Sequence, residues 1–166
     1  MGFNASRLTP LLLGLAACAY ENPSLHIGPL LGPRFVAEGV IYTAGHLEPS
    51  AVEVAPDLVA LESTARRGFE ICRDPHAVGD EVLLRGAAAL GPDAEVHGRL
   101  LFAGAVLAVE FDRDVFRGLS GAPVFCTRHG RVLGALVAGH ERTAVVTPIP
   151  ARPRVAAGLP PPLPLD

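Results

Sequence analysis

The stretch Arg117-Gly118-Leu119-Ser120-Gly121-Ala122-Pro123-Val124-Phe125 holds a serine between two glycines, followed at once by a proline and apolar residues. Glycine permits backbone dihedrals, and a close approach to a reacting group, that a side chain would prevent. The segment therefore suits a nucleophile held on a tight loop. The N–H groups of Gly118 and Ser120 are predicted to converge as an oxyanion hole, which needs preorganised donors. The simpler interpretation is an ordinary turn, because glycine and serine are frequent turn residues.

Two segments upstream supply a histidine and an acid for this serine. Tyr42-Thr43-Ala44-Gly45-His46-Leu47 contains the histidine, and Asp57-Leu58-Val59-Ala60-Leu61 begins with the aspartate. A serine hydroxyl becomes a strong nucleophile only when a neighbouring base takes its proton, and His46 is the candidate base. Asp57 is the candidate acid that orients the imidazole. A structural histidine and a turn aspartate are the alternatives. Two poorer candidates for the acid are Asp74 and Asp80.

Together these segments resemble the motifs of the trypsin/chymotrypsin-like serine proteases. In that family the histidine motif reads Thr-Ala-(Ala/Gly)-His, the aspartate opens an Asp-apolar-Ala-Leu run, and the serine lies in Gly-x-Ser-Gly-x-Pro. The order histidine, aspartate, serine is also the family's, and it differs from the order in subtilisins and α/β-hydrolases. The resemblance covers roughly residues 35–149. It implies an all-β protein made of two antiparallel β-barrels, with the active site in the cleft between them.

Composition independently favours an all-β fold. The chain has 166 residues, a length typical of one domain, and is 49% hydrophobic, which allows a packed core. Many of its 18 glycines and 16 prolines separate short apolar runs, as in β proteins. Because Asp57 follows His46 by only 11 positions, the first barrel is predicted to be trimmed or partly open. The predicted strands are 34–43, 51–55, 57–63, 67–73, 80–86, 94–102, 104–112, 122–127, 131–139 and 143–147.

The resemblance also implies residues that contact a peptide substrate. Asp114, six residues before Ser120, matches the base of the primary pocket and would favour Arg or Lys in the substrate. The alternative is a solvated cluster of charges. Leu119 stands where trypsin-like zymogens usually place an aspartate, so activation by insertion of a new N-terminus is not expected. The edge that pairs with an extended substrate backbone is matched by Val137, Ala138 and Gly139.

Both ends of the chain are predicted to lie outside the protease-like domain of residues 34–149. Residues 1–17 resemble a signal peptide, since Arg7 precedes ten mostly apolar residues, fewer than the roughly 20 that span a bilayer. Leu15-Ala16-Ala17-Cys18 resembles the bacterial lipobox, which implies lipidation of Cys18 and an anchor in the cell envelope, facing the periplasm or the exterior. The alternatives are secretion without a lipid and an N-terminal core strand or helix. Residues 18–33 are predicted to be a linker, and 150–166 a Pro-rich extended tail.

Charge and cysteine usage limit the partners. The net charge of -3 and the absence of a basic stripe give no reason to expect nucleic acid. The cysteines do not show metal-ligand spacing, so neither a metal nor a cofactor is expected. In an oxidising compartment Cys72 and Cys126 would either pair or stay as buried thiols. We expect a monomer.

Two hypotheses of function follow. The first is an exported serine endopeptidase that hydrolyses peptide bonds through an acyl-enzyme on Ser120. The second is a catalytically inactive relative, kept as a peptide-binding or envelope lipoprotein. An esterase of the α/β-hydrolase kind is disfavoured, because that fold places an acid and then a histidine after the serine. The downstream acids, Glu141 and Asp166, both follow the last histidine, His140.

Overall fold

The protein is all-β, as predicted. The computed structural model describes residues 25–28, 32–64, 67–91, 93–115 and 118–151. In these ranges the regular elements are strands and two single-turn 3₁₀-helices, Gly45–Leu47 and Ala88–Leu90. The strands are β1 Leu25–Gly28, β2 Gly32–Ala37, β3 Val40–Ala44, β4 Glu53–Ala55, β5 Leu58–Glu62, β6 Glu81–Arg85, β7 Glu95–Ala103, β8 Leu107–Phe111, β9 Pro123–Cys126, β10 Arg131–His140 and β11 Thr143–Pro148.

The first half is an open antiparallel sheet with the strand order β1-β2-β3-β5-β4. Strands β2 and β3 form a hairpin whose turn residues, Glu38 and Gly39, both have positive φ, at 47° and 81°. Positive φ at both central residues is the requirement of a type I′ turn, which matches the twist of the flanking strands. The single strand predicted over 34–43 is therefore this hairpin. Its register pairs Phe35 with Tyr42, whose rings stack with centroids 5.7 Å apart.

The second half is a closed six-stranded barrel with the order β10-β11-β8-β7-β6-β9. Its strands alternate between buried and exposed residues, so that Leu107, Val109 and Phe111 of β8 point into the barrel while Glu110 faces solvent. Closure leaves no free edge over the paired residues. The predicted second barrel is thus confirmed, and the first is present as an open sheet, in line with the prediction that it is trimmed or partly open.

Sheet and barrel share a hydrophobic core, to which Phe35 and Leu58 of the sheet and Phe125 and Ala135 of the barrel belong. The stretch 67–73, predicted as a strand, instead runs between the two halves and forms only isolated bridges. Its Phe69 N–H donates to Val36 O (2.9 Å), whereas the Cys72 N–H donates to Val132 O (2.7 Å). The prediction of a regular strand was wrong because the segment changes partner from one half to the other within four residues. We refer to residues 69–72 as the connecting segment.

The structure describes the ends of the chain only in part. Strand β1 lies inside the stretch predicted to be a linker, where it pairs with β2. The predicted signal peptide, Cys18 and nearly all of the Pro-rich tail lie outside the described residues. No helix within the described ranges is long and apolar enough to cross a membrane.

Candidate active site

Antiparallel pairing of β3 and β5 brings the candidate histidine and acid together. Ala44 is paired with Leu58, so the residues just beyond this pair, Gly45 and Asp57, also face each other. The Gly45 N–H continues the ladder by donating to Asp57 O at 2.7 Å. His46 follows in the 3₁₀-helix that ends β3. A spacing of 11 positions is enough to bring His46 and Asp57 together, because the chain between them forms only the short strand β4 before it returns along β3 as β5.

Asp57 binds His46 through both carboxylate oxygens. The His46 backbone N–H donates to Oδ1 at 2.7 Å, and the ring Nδ1 lies 2.6 Å from Oδ2. An ionised carboxylate only accepts hydrogen bonds, so a neutral His46 ring bonded to it carries its proton on Nδ1 and leaves Nε2 as an acceptor. The backbone of Asp57 is left-handed, with φ of 50°, a conformation that Asp tolerates better than most residues. A Cβ at position 45 would lie 3.0 Å from Asp57 Oδ1, so Gly45 leaves space for the carboxylate.

The serine loop packs against the strand that leads to His46. Ser120 is partly buried and lies between two positive-φ glycines, Gly118 (98°) and Gly121 (89°). A Cβ at Gly121 would lie 2.0 Å from Pro33 O and 2.7 Å from the hydroxyl oxygen of Thr43. Only glycine fits this contact. It places the residue after Ser120 against a threonine three residues before His46.

The proposed oxyanion donors are not used by the rest of the fold, as far as the structure describes it. In those residues the hydrogen bonds include none from the N–H groups of Gly118 or Ser120, and none between Ser120 and the ring of His46. Neighbouring groups of the loop are bonded, since the Gly121 N–H donates to Leu136 O at 2.7 Å. The arrangement therefore leaves both donors and His46 Nε2 facing no described partner.

Two buried threonines that the sequence analysis missed hold the site's flanking segments. Thr147 Oγ1, in the barrel strand β11, donates to Pro56 O at 2.6 Å, next to Asp57. Thr43 Oγ1 donates to Pro33 O at 2.8 Å. Both threonines are at most 1% exposed. A threonine inside an otherwise apolar strand was the only available signal, because a buried hydroxyl needs a partner.

The predicted substrate edge lies on an unpaired flank of β10. Strand β9 pairs with β10 no further than Ala135, so Val137, Ala138 and Gly139 have no described strand on that side. Val137 is buried, whereas the next two residues are exposed. An exposed strand flank can accept an extended peptide by strand addition.

Asp114 is exposed, and the buried residue at this point is its neighbour Val115. A Cβ at Gly139 would lie 2.7 Å from Val115 Cγ2, so the valine and not the aspartate packs against the substrate edge. The Val115 N–H is fixed by a 2.6 Å bond to Glu141 O. The pocket role of Asp114 stays a prediction.

The two poorer candidates for the acid lie with other histidines. Asp74 Oδ2 is 3.0 Å from His129 Nε2, and Asp80 Oδ2 is 3.8 Å from His76 Nδ1. Both pairs line a cavity of about 270 Å³ at the end of the β9–β10 hairpin. Asp57 is thus the candidate that contacts His46. Over the described ranges, no group of three or more His, Cys, Asp or Glu side chains is arranged to hold a metal ion.

Comparisons with known proteins find that this chain is similar in fold to solved structures. No family model and no curated protein matches the sequence. Among solved structures, the Rv3671c protease of M. tuberculosis in its inactive form is similar, with a TM-score of 0.58 and 19% identity over 84% of this chain and 90% of that one. The NS6 protease from murine norovirus 1 gives a TM-score of 0.59 and 16% identity over 76% of this chain and 89% of that one.

A third structure, kallikrein-related peptidase 10, has a TM-score of 0.56 and 15% identity over 76% of this chain and 88% of its own. These proteins share one architecture despite their low identity. The chain therefore has the trypsin/chymotrypsin-like serine protease fold, as the sequence motifs indicated.

Proposed function

We propose that the protein is an exported serine endopeptidase that hydrolyses peptide bonds through a Ser-His-Asp triad. The observation that carries the proposal is the two-point contact between Asp57 and His46, at 2.7 and 2.6 Å. This contact fixes both the position and the tautomer of the imidazole. A glycine-flanked serine on a loop that packs beside the same strand is the third component.

In the proposed reaction Ser120 Oγ attacks the carbonyl carbon of the scissile bond while His46 Nε2 takes its proton. Asp57 stabilises the imidazolium that forms and does not itself become protonated. The N–H groups of Gly118 and Ser120 bind the oxyanion, a contribution of about 10²–10³ in rate for each donor. His46 then gives its proton to the leaving amine. A water molecule, activated by the same imidazole, hydrolyses the acyl-enzyme.

The substrate backbone would add to the free flank of β10 at Val137, Ala138 and Gly139. That flank is unpaired at two exposed residues, Ala138 and Gly139. It would offer main-chain hydrogen bonds that do not require a particular side chain in the substrate. The enzyme would work as a monomer without a metal or cofactor. Nothing in the charge of the chain favours nucleic acid as a partner.

We further propose that Cys18 carries a lipid and anchors the enzyme in the cell envelope. The support is the Leu15-Ala16-Ala17-Cys18 sequence behind an apolar run. The mass of the protein isolated from bacterial membranes should show a diacylglyceryl group on Cys18. A free amine at another residue would contradict this part of the proposal.

Digestion of a mixed peptide library, followed by mass spectrometry, tests the activity. The wild type should cut internal peptide bonds, and Ser120→Ala should lose this cutting by at least about 10³-fold. Thr64→Ala is the matched control for removal of a hydroxyl, because Thr64 is exposed and lies outside the segments that contain His46, Asp57 and Ser120. Its activity should equal that of the wild type. Cleavage that persists unchanged in Ser120→Ala would exclude this mechanism.

The alternative is a catalytically inactive protein that binds peptides or serves in the envelope. This alternative is supported by the observation that the described residues include no hydrogen bond between Ser120 and His46. A folded wild type that binds library peptides but leaves them intact would favour this alternative.

A further inference from the structure

The loop that carries Ser120 is hydrogen-bonded to β10 just before the predicted substrate edge. The Gly121 N–H donates to Leu136 O at 2.7 Å, and the Leu136 N–H donates to Ala122 O at 3.0 Å. These bonds extend the pairing of β9 with the same flank of β10. The unpaired flank therefore begins at Val137, directly beside the serine loop. A peptide added to this flank would run along β10 with one of its carbonyl groups next to Ser120.

Gly139 stands on the unpaired flank at a position that faces the interior of the barrel. It is paired with Ala144 of β11, which is 1% exposed. Directly paired residues project their side chains on the same face of a sheet, so a side chain at position 139 would point into the end of the barrel. Glycine leaves this space without a side chain of its own. Alternate side chains of a peptide added to the flank would turn toward it.

Val115 fills the space that Gly139 faces. A methyl group at position 139 would lie 2.7 Å from Val115 Cγ2 and 3.5 Å from its Cβ, so the two residues leave no room for one more carbon atom between them. Val115 is 5% exposed and belongs to the same hydrophobic core as Leu119, the residue before Ser120. Its N–H donates to Glu141 O at 2.6 Å. The valine is thus held within the packed end of the barrel.

The surroundings of Val115 are apolar. Among the described residues, the buried polar side chains are those of Thr43 and Thr147, and no charged side chain is buried. Asp114, the neighbour of Val115, is exposed. A lysine or arginine side chain placed against the valine would lose its water without gaining a buried carboxylate. A long apolar side chain would collide with the valine before it could be buried.

We propose that Val115 restricts the substrate to a small residue, alanine or glycine, at the position whose carbonyl Ser120 attacks. The inference rests on the proposed peptidase activity and names its substrate class. A small side chain would enter beside Gly139 and stop at the methyl groups of Val115. A larger one would hold the peptide backbone away from the flank of β10. Val115 is then a specificity-determining residue, which touches the substrate side chain and takes no part in breaking the bond.

Binding of product-like peptides tests the inference without requiring turnover. The peptides share one sequence and differ only in the last residue, which carries the free carboxylate and is alanine, phenylalanine or lysine. Calorimetric titration of the wild type should give a Kd for the alanine peptide at least about 10-fold below that of the other two. Equal affinities, tighter binding of the phenylalanine or lysine peptide, or binding of none of the three would overturn the inference.

Shortening the valine gives a second readout. Val115→Ala removes two methyl groups from the wall, so the affinity for the phenylalanine peptide should rise by at least about 10-fold relative to that for the alanine peptide. Val78→Ala is the matched control, because Val78 is 68% exposed and lies outside both the serine loop and β10. It should keep the wild-type order of affinities. An unchanged order in folded Val115→Ala would refute the role of this residue, and the wild-type titrations decide the question if that variant does not fold.

Labelling with an alkyl fluorophosphonate separates this inference from the proposed activity. The probe carries no substrate side chain, so its reaction with Ser120 reports on the activated serine alone. Labelling of Ser120 combined with tighter binding of the phenylalanine or lysine peptide would reject the role of Val115 and keep the peptidase. Selective binding of the alanine peptide without labelling would reject the peptidase and keep Val115 as the residue that selects a bound peptide.

Discussion

Asp57 is the residue on which the candidate site depends most, because its two oxygens hold the backbone and the ring of His46. Replacing it by asparagine keeps the size of the side chain but puts an NH₂ group where one acceptor stood. The ring is then held in the wrong tautomer, so we expect Asp57→Asn to lower kcat by about 10⁴-fold with the fold retained. Rates of peptide hydrolysis and circular dichroism of the purified variant measure the two effects.

The chain offers a matched control for this substitution. Asp74 also contacts a histidine, His129, at 3.0 Å, but away from the serine loop. Asp74→Asn should leave kcat within about twofold of the wild type. A mild loss in Asp57→Asn, equal to that of the control, would mean that another group orients His46.

Gly121 tests the packing of the serine loop. An added methyl group would stand 2.0 Å from Pro33 O, on a backbone with φ of 89°. We expect Gly121→Ala to destabilise the fold by at least about 2 kcal/mol, measured by urea unfolding. Gly130→Ala is the control, with φ of 65° but no atom within 4 Å, and should cost only about 1 kcal/mol. Equal losses would show that the contact with Pro33 does not matter.

At this scale the sequence predicted His46, Asp57 and Ser120 as one group, and the structure brings the first two into contact. The sequence did not show which of Asp114 and Val115 is buried beside the predicted substrate edge. Adjacent residues in a loop point in different directions, and the spacing to Ser120 alone does not say which one is buried. Whether Cys72 and Cys126 pair was equally open in the sequence, and in the structure both are buried free thiols.

Among the strands, β11 supports the backbone next to Asp57 through the side chain of Thr147. Thr147 Oγ1 donates to Pro56 O at 2.6 Å and is fully buried. Thr147→Val keeps the shape but leaves this carbonyl without its donor, so we expect a loss of about 1–2 kcal/mol in urea unfolding. Thr143→Val, at an exposed position of the same strand, should change stability by less than about 0.5 kcal/mol. Comparable losses in both would contradict the role of the Thr147–Pro56 bond.

Strand positions followed from short apolar runs separated by Gly, Pro or Asp, but strand ends and partners did not. The hairpin at Glu38 and Gly39 was missed because the apolar run continues on both sides of its turn. The connecting segment contains Phe69 and Ile71, which are apolar at alternate positions as in a strand. Phe69 forms a bridge with Ala37 of the sheet, whereas Ile71 forms one with Val132 of the barrel. Which half each residue contacts depends on tertiary packing and cannot be read from the local sequence.

For the whole molecule, the lowered pKa of His76 predicts how the free energy of unfolding depends on pH. Burial lowers its pKa, although Asp80 and Asp74 act in the opposite direction and Arg128 adds to the lowering. The unfolded chain therefore takes up a proton near pH 6.5 more readily than the folded one, and stability is lost as the pH falls below about 6.5. Urea midpoints measured between pH 7.5 and 5 should fall less in His76→Gln than in the wild type. An unchanged pH profile in this variant would contradict the assignment.

The overall architecture was predictable because three motifs in a fixed order carry it, together with short strands separated by Gly, Pro and Asp. The interval of 11 residues between His46 and Asp57 correctly indicated a reduced first half. The prediction of a trimmed or partly open barrel did not say which of the two forms it takes, since barrel closure depends on strand tilt and register. The strand β1, within residues predicted to be a linker, likewise depends on its pairing with β2.

The central claim is that Ser120, His46 and Asp57 act as one catalytic unit, and labelling with a fluorophosphonate tests it most directly. The probe reacts covalently only with a serine that a neighbouring base activates. We predict one adduct on the folded wild type, located at Ser120 by peptide mapping, and none on Ser120→Ala or His46→Ala. His97→Ala, at an exposed position of β7, should label like the wild type. A well-folded wild type that takes up no probe, or labelling that survives in His46→Ala, would contradict the account.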